Sequence, residues 1–125
     1  MSRFIGSKFA FASPDLTKAL YQSLKDQQLE RIVHQGPSWT TDAPYRETIA
    51  ELKRYRSQGV MTVEMEASAV FAVGRVKNVE TGAVFVVSDI LSEKSWKPAF
   101  RSEIVLENLS KAFISVRDVL AASMS

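Results

Sequence analysis

Residues 59–89, GVMTVEMEASAVFAVGRVKNVETGAVFVVSD, constrain the fold of this chain more than any other stretch. An apolar run at residues 60–63 is followed by two glutamates, and a second run at residues 83–87 is followed by an aspartate. A helix of small residues is predicted between them, at residues 66–76. Strand, helix and strand in this order are typical of an α/β sheet, where ligands bind at the carboxyl ends of the strands. The pattern therefore predicts both a fold class and the position of a site.

Start and stop signals predict the remaining elements. Ser13, Pro14 and Asp15 open a helix that continues to residue 28. The other predicted elements are a strand at residues 30–35, a polar loop at 38–43, a helix at 44–57 closed by Gly59, a polar loop at 88–98 and a helix at 99–122. The last helix has an apolar face composed of Phe100, Ile104, Leu109, Phe113, Val116 and Leu120.

The predicted fold is an α/β domain that occupies residues 1–125, a length typical of one domain. About three strands flanked by about four helices make a thin sheet. The uninterrupted apolar strand at residues 83–87 is of the kind that is buried between neighbours on both sides. We therefore expect the sheet to be completed by something else, either a further copy of the chain or the rest of a larger fold.

Composition excludes several classes of function. The net charge is only +2 and no run of Lys or Arg occurs, so a nucleic-acid surface is not expected. The chain has no cysteine and a single histidine, His34, which argues against disulfides and against a metal-dependent mechanism. No apolar run is long enough to span a bilayer, and no signal peptide is recognisable. The expectation is a soluble cytoplasmic protein without a membrane partner.

Three blocks of the sequence resemble the nucleoside phosphorylase family. They are VEMEAS at residues 63–68, VVSD at residues 86–89 and, less sharply, WTTDAPYRET at residues 39–48. The family includes purine nucleoside, uridine and methylthioadenosine phosphorylases and related nucleosidases. The resemblance covers nearly the whole chain and corresponds to the C-terminal half of the family's fold. It implies a three-layer α/β fold, truncated in this chain, and cleavage of the N-glycosidic bond of a nucleoside.

The resemblance implies that the ribose is bound directly after the first of the two strands. Glu66 corresponds to the glutamate that grips the ribose hydroxyls in the family, and Met65 would lie against the apolar face of the sugar. Glu64 is assigned to the same subsite. A carboxylate that accepts hydrogen bonds from the vicinal diol favours the positive charge that the ribose gains as the bond breaks.

The second strand end would bind the base. Purine-specific members of the family carry an aspartate at the position of Asp89, which can donate a proton to purine N7 as a general acid. Arg101 resembles the arginine that assists this aspartate, so the implied catalytic pair is Asp89 and Arg101. The implied base-binding residues are Trp39, Thr41, Tyr45 and Ser88.

The same residues also have a purely structural interpretation. Glu64 and Glu66 suit the N-terminus of the following helix, where acidic side chains are favourable. Asp89 suits a turn or a helix cap. Trp39 and Tyr45 equally suit packing against the core or within a loop. The residue types alone leave both interpretations open.

A phosphate site is not recognisable in the sequence. In the family inorganic phosphate is bound by the N-terminal half, and no glycine-rich strand–helix turn of that kind occurs here.

Two functions are therefore expected. One is a glycosyltransferase-type enzyme acting on a purine nucleoside, with no cofactor beyond inorganic phosphate as co-substrate. The other is a non-catalytic nucleoside-binding or interaction module. The expected protein partners are copies of the chain in a homo-oligomer, or a separate chain that supplies the N-terminal half.

Overall fold

The computed structural model describes residues 9–29, 33–41, 49–91, 96–98 and 103–124. These residues form an α/β structure, as the sequence predicts. Its elements are α1 (Pro14–Leu24), β1 (Ser38–Thr40), α2 (Ile49–Ser57), β2 (Thr62–Glu64), α3 (Ala67–Val76), β3 (Asp89–Leu91), β4 (Trp96–Pro98) and α4 (Glu103–Ser123). A π-helical turn, Lys25–Leu29, follows α1, so the helical structure extends one residue past the predicted end at residue 28.

The segments β1, α2 and β2 form a βαβ unit. The two strands are parallel neighbours, with Ser38 opposite Thr62 and Thr40 opposite Glu64. A backbone hydrogen bond of 2.8 Å from the N–H of Thr41 to the carbonyl oxygen of Glu64 extends the ladder at its carboxyl end. The unit therefore places the ends of β1 and β2 side by side, directly before α3.

The position of β1 corrects the predicted strand at residues 30–35. Residues 33–35, the described part of that range, are irregular, and the strand lies instead in the predicted polar loop. Its polar side chains have partners on β2, because Thr62 donates a hydrogen bond of 2.9 Å to Ser38 and Thr40 donates one to Glu64. Apolar periodicity does not reveal a strand whose inward side chains are hydroxyls that bond across the ladder.

The predicted strand at residues 83–87 is also wrong. Burial alternates along this segment, with Phe85 and Val87 exposed and the residues on either side of Phe85 half-buried, but no strand pairs with it in the described part of the chain. The third strand begins only at Asp89 and pairs antiparallel with β4, within the predicted loop at residues 88–98. The apolar pattern indicates which side chains alternate, whereas a strand also needs a neighbour to bond with.

The helices α2 and α3 end in the same hydrogen-bond pattern. Gly59 follows α2 with a φ of 81°, and Asn78 follows α3 with a φ of 55°. The backbone N–H of the next residue donates back to Tyr55 in the first case (3.0 Å) and to Gly74 in the second (2.8 Å). These are Schellman motifs, in which a left-handed residue ends the helix. The predicted role of Gly59 is confirmed.

The last helix buries a different face from the predicted one. Its buried residues are Val105, Ala112 and Ser115. The predicted apolar face is largely exposed, at Ile104 (71%), Leu109 (50%), Phe113 (69%) and Leu120 (52%). Phe100 and the predicted start of the helix lie outside the described residues. The apolar periodicity predicts the helix correctly but not the face that packs inward. The face with small buried residues packs inward because small side chains let neighbouring parts of the chain come closest to the helix.

The structure divides into two compact units. The first combines Met1–Lys18 with Gly36–Ala83, and the second combines Ala19–Gln35 with Val84–Ser125. In the second unit, the side-chain amide of Gln27 donates hydrogen bonds to the hydroxyl of Ser115 and to the carbonyl oxygen of Lys111. Across the residues that the structure describes, no helix is both long and apolar enough to cross a membrane. The single-domain organisation stays a prediction.

Candidate functional site at the carboxyl end of the parallel strands

The carboxyl ends of β1 and β2 bring together the residues of the predicted ribose subsite. Thr40 ends β1, Glu64 ends β2, and a bend made of Met65 and Glu66 leads into α3. Both residues of the bend are exposed, with 49% of Met65 accessible. This edge of a parallel sheet is where α/β proteins bind ligands, because loops and helix N-termini converge there.

The carboxylate of Glu64 is fully engaged within the protein. Its Oε2 accepts hydrogen bonds from the backbone N–H groups of Glu66 and Ala67, each 2.7 Å long. Its Oε1 accepts one from the hydroxyl of Thr40, and the hydroxyl of Ser38 lies 3.4 Å away. The first N–H groups of a helix lack intrahelical partners, so Glu64 caps α3 and places negative charge at the favourable end of its dipole.

Thr40 completes this cap from the neighbouring strand. Its hydroxyl donates to Glu64 and accepts a hydrogen bond of 3.1 Å from the backbone N–H of Ser68. Three successive N–H groups, at residues 66–68, are therefore bound by side chains of β1 and β2. Thr40 is not among the site residues that the sequence predicts. The alternation Ser-Trp-Thr at residues 38–40 is the period-two signal that could have revealed it.

Glu66 contrasts with Glu64. It occupies the N-cap position of α3, yet its side chain makes no capping hydrogen bond among the described residues, and it is exposed. N-cap residues usually bind the helix with their own side chain. Here the cap comes from two other residues, and the carboxylate of Glu66 is left open to a ligand.

Two of the predicted base-binding residues lie close to this edge. Trp39 points to the opposite face of the ladder from Thr40 and stacks on Tyr55 of α2, with ring centroids 4.4 Å apart and an interplanar angle of 28°. Thr41, two residues after Trp39, is buried. Tyr45 lies outside the described residues. One face of the Trp39 ring is thus covered by another aromatic ring, as expected if Trp39 packs against its neighbours.

The predicted catalytic aspartate lies in the second unit. Asp89 is the first residue of β3, opposite Pro98 in the antiparallel pair, and half-buried Ser88 precedes it in an irregular segment. Arg101 lies outside the described residues. Since Glu66 belongs to the first unit and Asp89 to the second, their convergence on one ligand stays a prediction.

A metal ion has no recognisable site in the described part of the structure. No group of three or more His, Asp or Glu side chains there is arranged to bind one. The single histidine, His34, is exposed in an irregular segment before β1. The exposed groups at the strand ends are instead the carboxylate of Glu66 and the thioether of Met65.

The chain belongs to the phosphorylase superfamily, whose family model it matches over residues 2–122. Its sequence is similar to that of the DeoD-type purine nucleoside phosphorylase of Clostridium novyi (strain NT), with 35% identity over 88 residues. That stretch is 70% of this chain and 37% of the relative, so the chain spans little more than a third of the relative's length. The resemblance to nucleoside phosphorylases that the sequence blocks indicate is confirmed.

Proposed function

We propose that the chain is a nucleoside phosphorylase-like protein that binds a purine nucleoside at the carboxyl end of β1 and β2. The observation that carries this proposal is the exposed carboxylate of Glu66 at this edge of the sheet, in a chain that belongs to the phosphorylase superfamily. The name of the relative from Clostridium novyi supports a purine as the base. We propose the three-layer arrangement of that family for the complete fold.

In the proposed complex, Glu66 accepts hydrogen bonds from the ribose hydroxyls. The exposed thioether of Met65 lies against the apolar face of the ring. The bond between ribose C1′ and the base nitrogen breaks with its electron pair going to the base, so positive charge develops on the ribose. A carboxylate bound to the diol stabilises that charge, and charge-assisted hydrogen bonds of this kind are roughly twice as strong as neutral ones.

The proposed chemistry at the base depends on Asp89 with Arg101. Asp89 donates a proton to purine N7, and this proton cancels the negative charge that the base gains with the electron pair of the broken bond. Inorganic phosphate, or water where phosphate is not bound, attacks C1′, and the reaction uses no cofactor. Trp39, Thr41, Tyr45 and Ser88 are the proposed residues of the base pocket.

We also propose that the chain assembles as a homo-oligomer. The exposed side chains of Leu109, Phe113 and Leu120 lie on one side of α4, and a second copy that packs against them would remove apolar surface from water. The alternative partner is a separate chain that supplies an N-terminal half.

The cysteine-free sequence supports a reducing compartment, and we propose the cytoplasm.

A second candidate is a nucleoside-binding module without turnover. It needs only the ribose contacts of Glu66 and Met65, which the described structure leaves exposed at the end of β2. In that case Glu66 and Met65 would still bind the ribose. The two candidates differ in whether free base is released.

The test is the release of free base from inosine and adenosine by the pure protein, with and without phosphate. Glu66→Gln is expected to lower the rate about 10- to 100-fold, because a charge-assisted hydrogen bond to the ribose is lost. Asp89→Asn is expected to lower it about 10²- to 10⁴-fold, because general-acid help is lost. Glu80→Gln removes an exposed carboxylate elsewhere in the first unit and should retain the rate.

The outcomes separate the candidates. Base release that depends on Glu66 and Asp89 supports the enzyme. Saturable binding of inosine that depends on Glu66, without any release of base, supports the binding module. A protein that neither binds nor cleaves either nucleoside would overturn both.

A further inference from the structure

We infer that Glu64, acting together with Thr40, positions Glu66 and is not itself a ligand of the ribose. The inference rests on the proposed function, in which Glu66 binds the sugar diol. It divides the two glutamates of the VEMEAS block between two roles: Glu64 is bonded inward to the protein, and Glu66 faces outward to the ligand.

Glu64 already accepts most of the hydrogen bonds that its carboxylate can make. An ionised carboxylate offers about four acceptor sites. The backbone N–H groups of Glu66 and Ala67 and the hydroxyl of Thr40 occupy three of them, and the hydroxyl of Ser38, at 3.4 Å, stands near the fourth. A ribose diol bound to Glu64 would have to displace bonds that α3 needs for its cap. Glu64 is therefore a poor sugar ligand in this arrangement.

The hydrogen bonds of Glu64 and Thr40 act on the residue that is proposed to bind the sugar. One of them ends on the backbone N–H of Glu66 itself, so the peptide plane that precedes its Cα is fixed relative to the end of β2. The bonds to Ala67 and Ser68 fix the next two residues in the same way. The direction in which the side chain of Glu66 leaves the backbone follows from these contacts. Thr40 links the cap to the neighbouring strand, so both strands of the sheet set that direction.

The cap of α3 is provided by residues other than the one at the N-cap position. Glu66 occupies the N-cap position, but its own carboxylate is not used for capping. If Glu66 capped α3 with its side chain, the carboxylate would be unavailable to the diol. Because Glu64 and Thr40 satisfy the N–H groups instead, the carboxylate of Glu66 is oriented without being used in the cap of the described helix.

The test compares Thr40→Val and Glu64→Gln with Thr40→Ser and the matched control Thr62→Val. Thr40→Val and Glu64→Gln each weaken the cap, and Thr40→Ser retains the hydroxyl. The Thr62 hydroxyl lies on the same face of the ladder but donates to Ser38, so its loss leaves the bonds to residues 66–68 in place. Two measurements are made on each purified variant.

The first measurement is the Kd for inosine and for 2′,3′-dideoxyinosine, which lacks the diol, by titration calorimetry. Thr40→Val and Glu64→Gln are expected to weaken inosine binding about tenfold and to leave dideoxyinosine binding within about twofold, because only the diol contact depends on the orientation of Glu66. Thr40→Ser should bind inosine like the wild type. A parallel loss for both ligands, or no loss for inosine, would overturn the inference.

The second measurement is hydrogen exchange of the backbone N–H groups of residues 66–68 without nucleoside, by NMR. Thr40→Val should speed exchange at Ser68, and Glu64→Gln at Glu66 and Ala67, each by about tenfold or more, with no change in Thr62→Val. Unchanged exchange in both variants would overturn the inference on its own. If the wild type does not prefer inosine to dideoxyinosine, the proposed function fails, and the exchange rates alone then decide whether Glu64 and Thr40 hold the bend.

Discussion

Gly74 lies buried in α3, where a single added methyl group would meet its neighbours. A Cβ at this position would overlap the side chain of Thr81 and would lie 3.2 Å from the carbonyl oxygen of Val79. We expect Gly74→Ala to lower the free energy of unfolding by about 1–3 kcal/mol, measured by urea denaturation, although alanine is the better helix former. Adding Thr81→Ser removes the overlapping methyl group and should restore part of the loss. A Gly74→Ala protein as stable as the wild type would contradict this packing.

At the same scale, the sequence predicted which residue types gather at the strand end but not what each one does. The spacing of Glu64 and Glu66 left both a ribose subsite and a helix cap open. The structure gives Glu64 the contacts of a cap and leaves the carboxylate of Glu66 exposed. Hydrogen bonds decide this difference. They depend on the position of Thr40, 24 residues before Glu64 on another strand, and one local motif cannot reveal that position.

Among the elements, the π-helical turn after α1 is bonded to α4 by the side chain of Gln27. Its amide donates to the carbonyl oxygen of Lys111 (2.8 Å) and to the hydroxyl of Ser115, which is completely buried. We expect Gln27→Met to lower the free energy of unfolding by about 1–3 kcal/mol, since a buried hydroxyl then loses its partner. The control Gln22→Met removes only an exposed bond to Asp26 and should cost less than about 0.5 kcal/mol. Equal losses in thermal or urea unfolding would argue against the buried bond.

Helices were more predictable from the sequence than strands. The stop signal at Gly59 and the small residues of α3 are local features, and the structure confirms both elements. The strand β1 was missed because the hydroxyls of Ser38 and Thr40 find their partners on β2, which the chain reaches only after α2. The segment at residues 83–87 has the side-chain pattern of a strand without a bonded neighbour in the described structure. Pairing is a non-local property, and periodicity does not report it.

For the whole molecule, the exposed side of α4 is the surface on which self-association is expected to depend. We predict that Phe113→Glu lowers the molecular mass measured by sedimentation equilibrium to that of one chain, because burying a charge in an apolar interface is costly. Ser110→Glu adds the same charge at an exposed polar position of α4 and should leave the oligomer intact. A wild-type protein that sediments as a monomer, or a mass that Phe113→Glu does not change, would contradict the proposed oligomer.

The cap of α3 also has a consequence for the order in which this region folds. Thr40 and Ser68 are 28 residues apart, whereas the Schellman motif at the other end of the helix joins near neighbours. The bonds from Glu64 to residues 66 and 67 are local, but the chain must close a long loop and pair β1 with β2 before the N–H group of Ser68 gains its partner. Loop closure carries an entropic cost. Removing the Thr40 hydroxyl should then accelerate unfolding more than it slows folding. The bend that carries Glu66 would be among the last parts of the first unit to become ordered, so the exposed carboxylate is set in place only once the two strands that support it are paired.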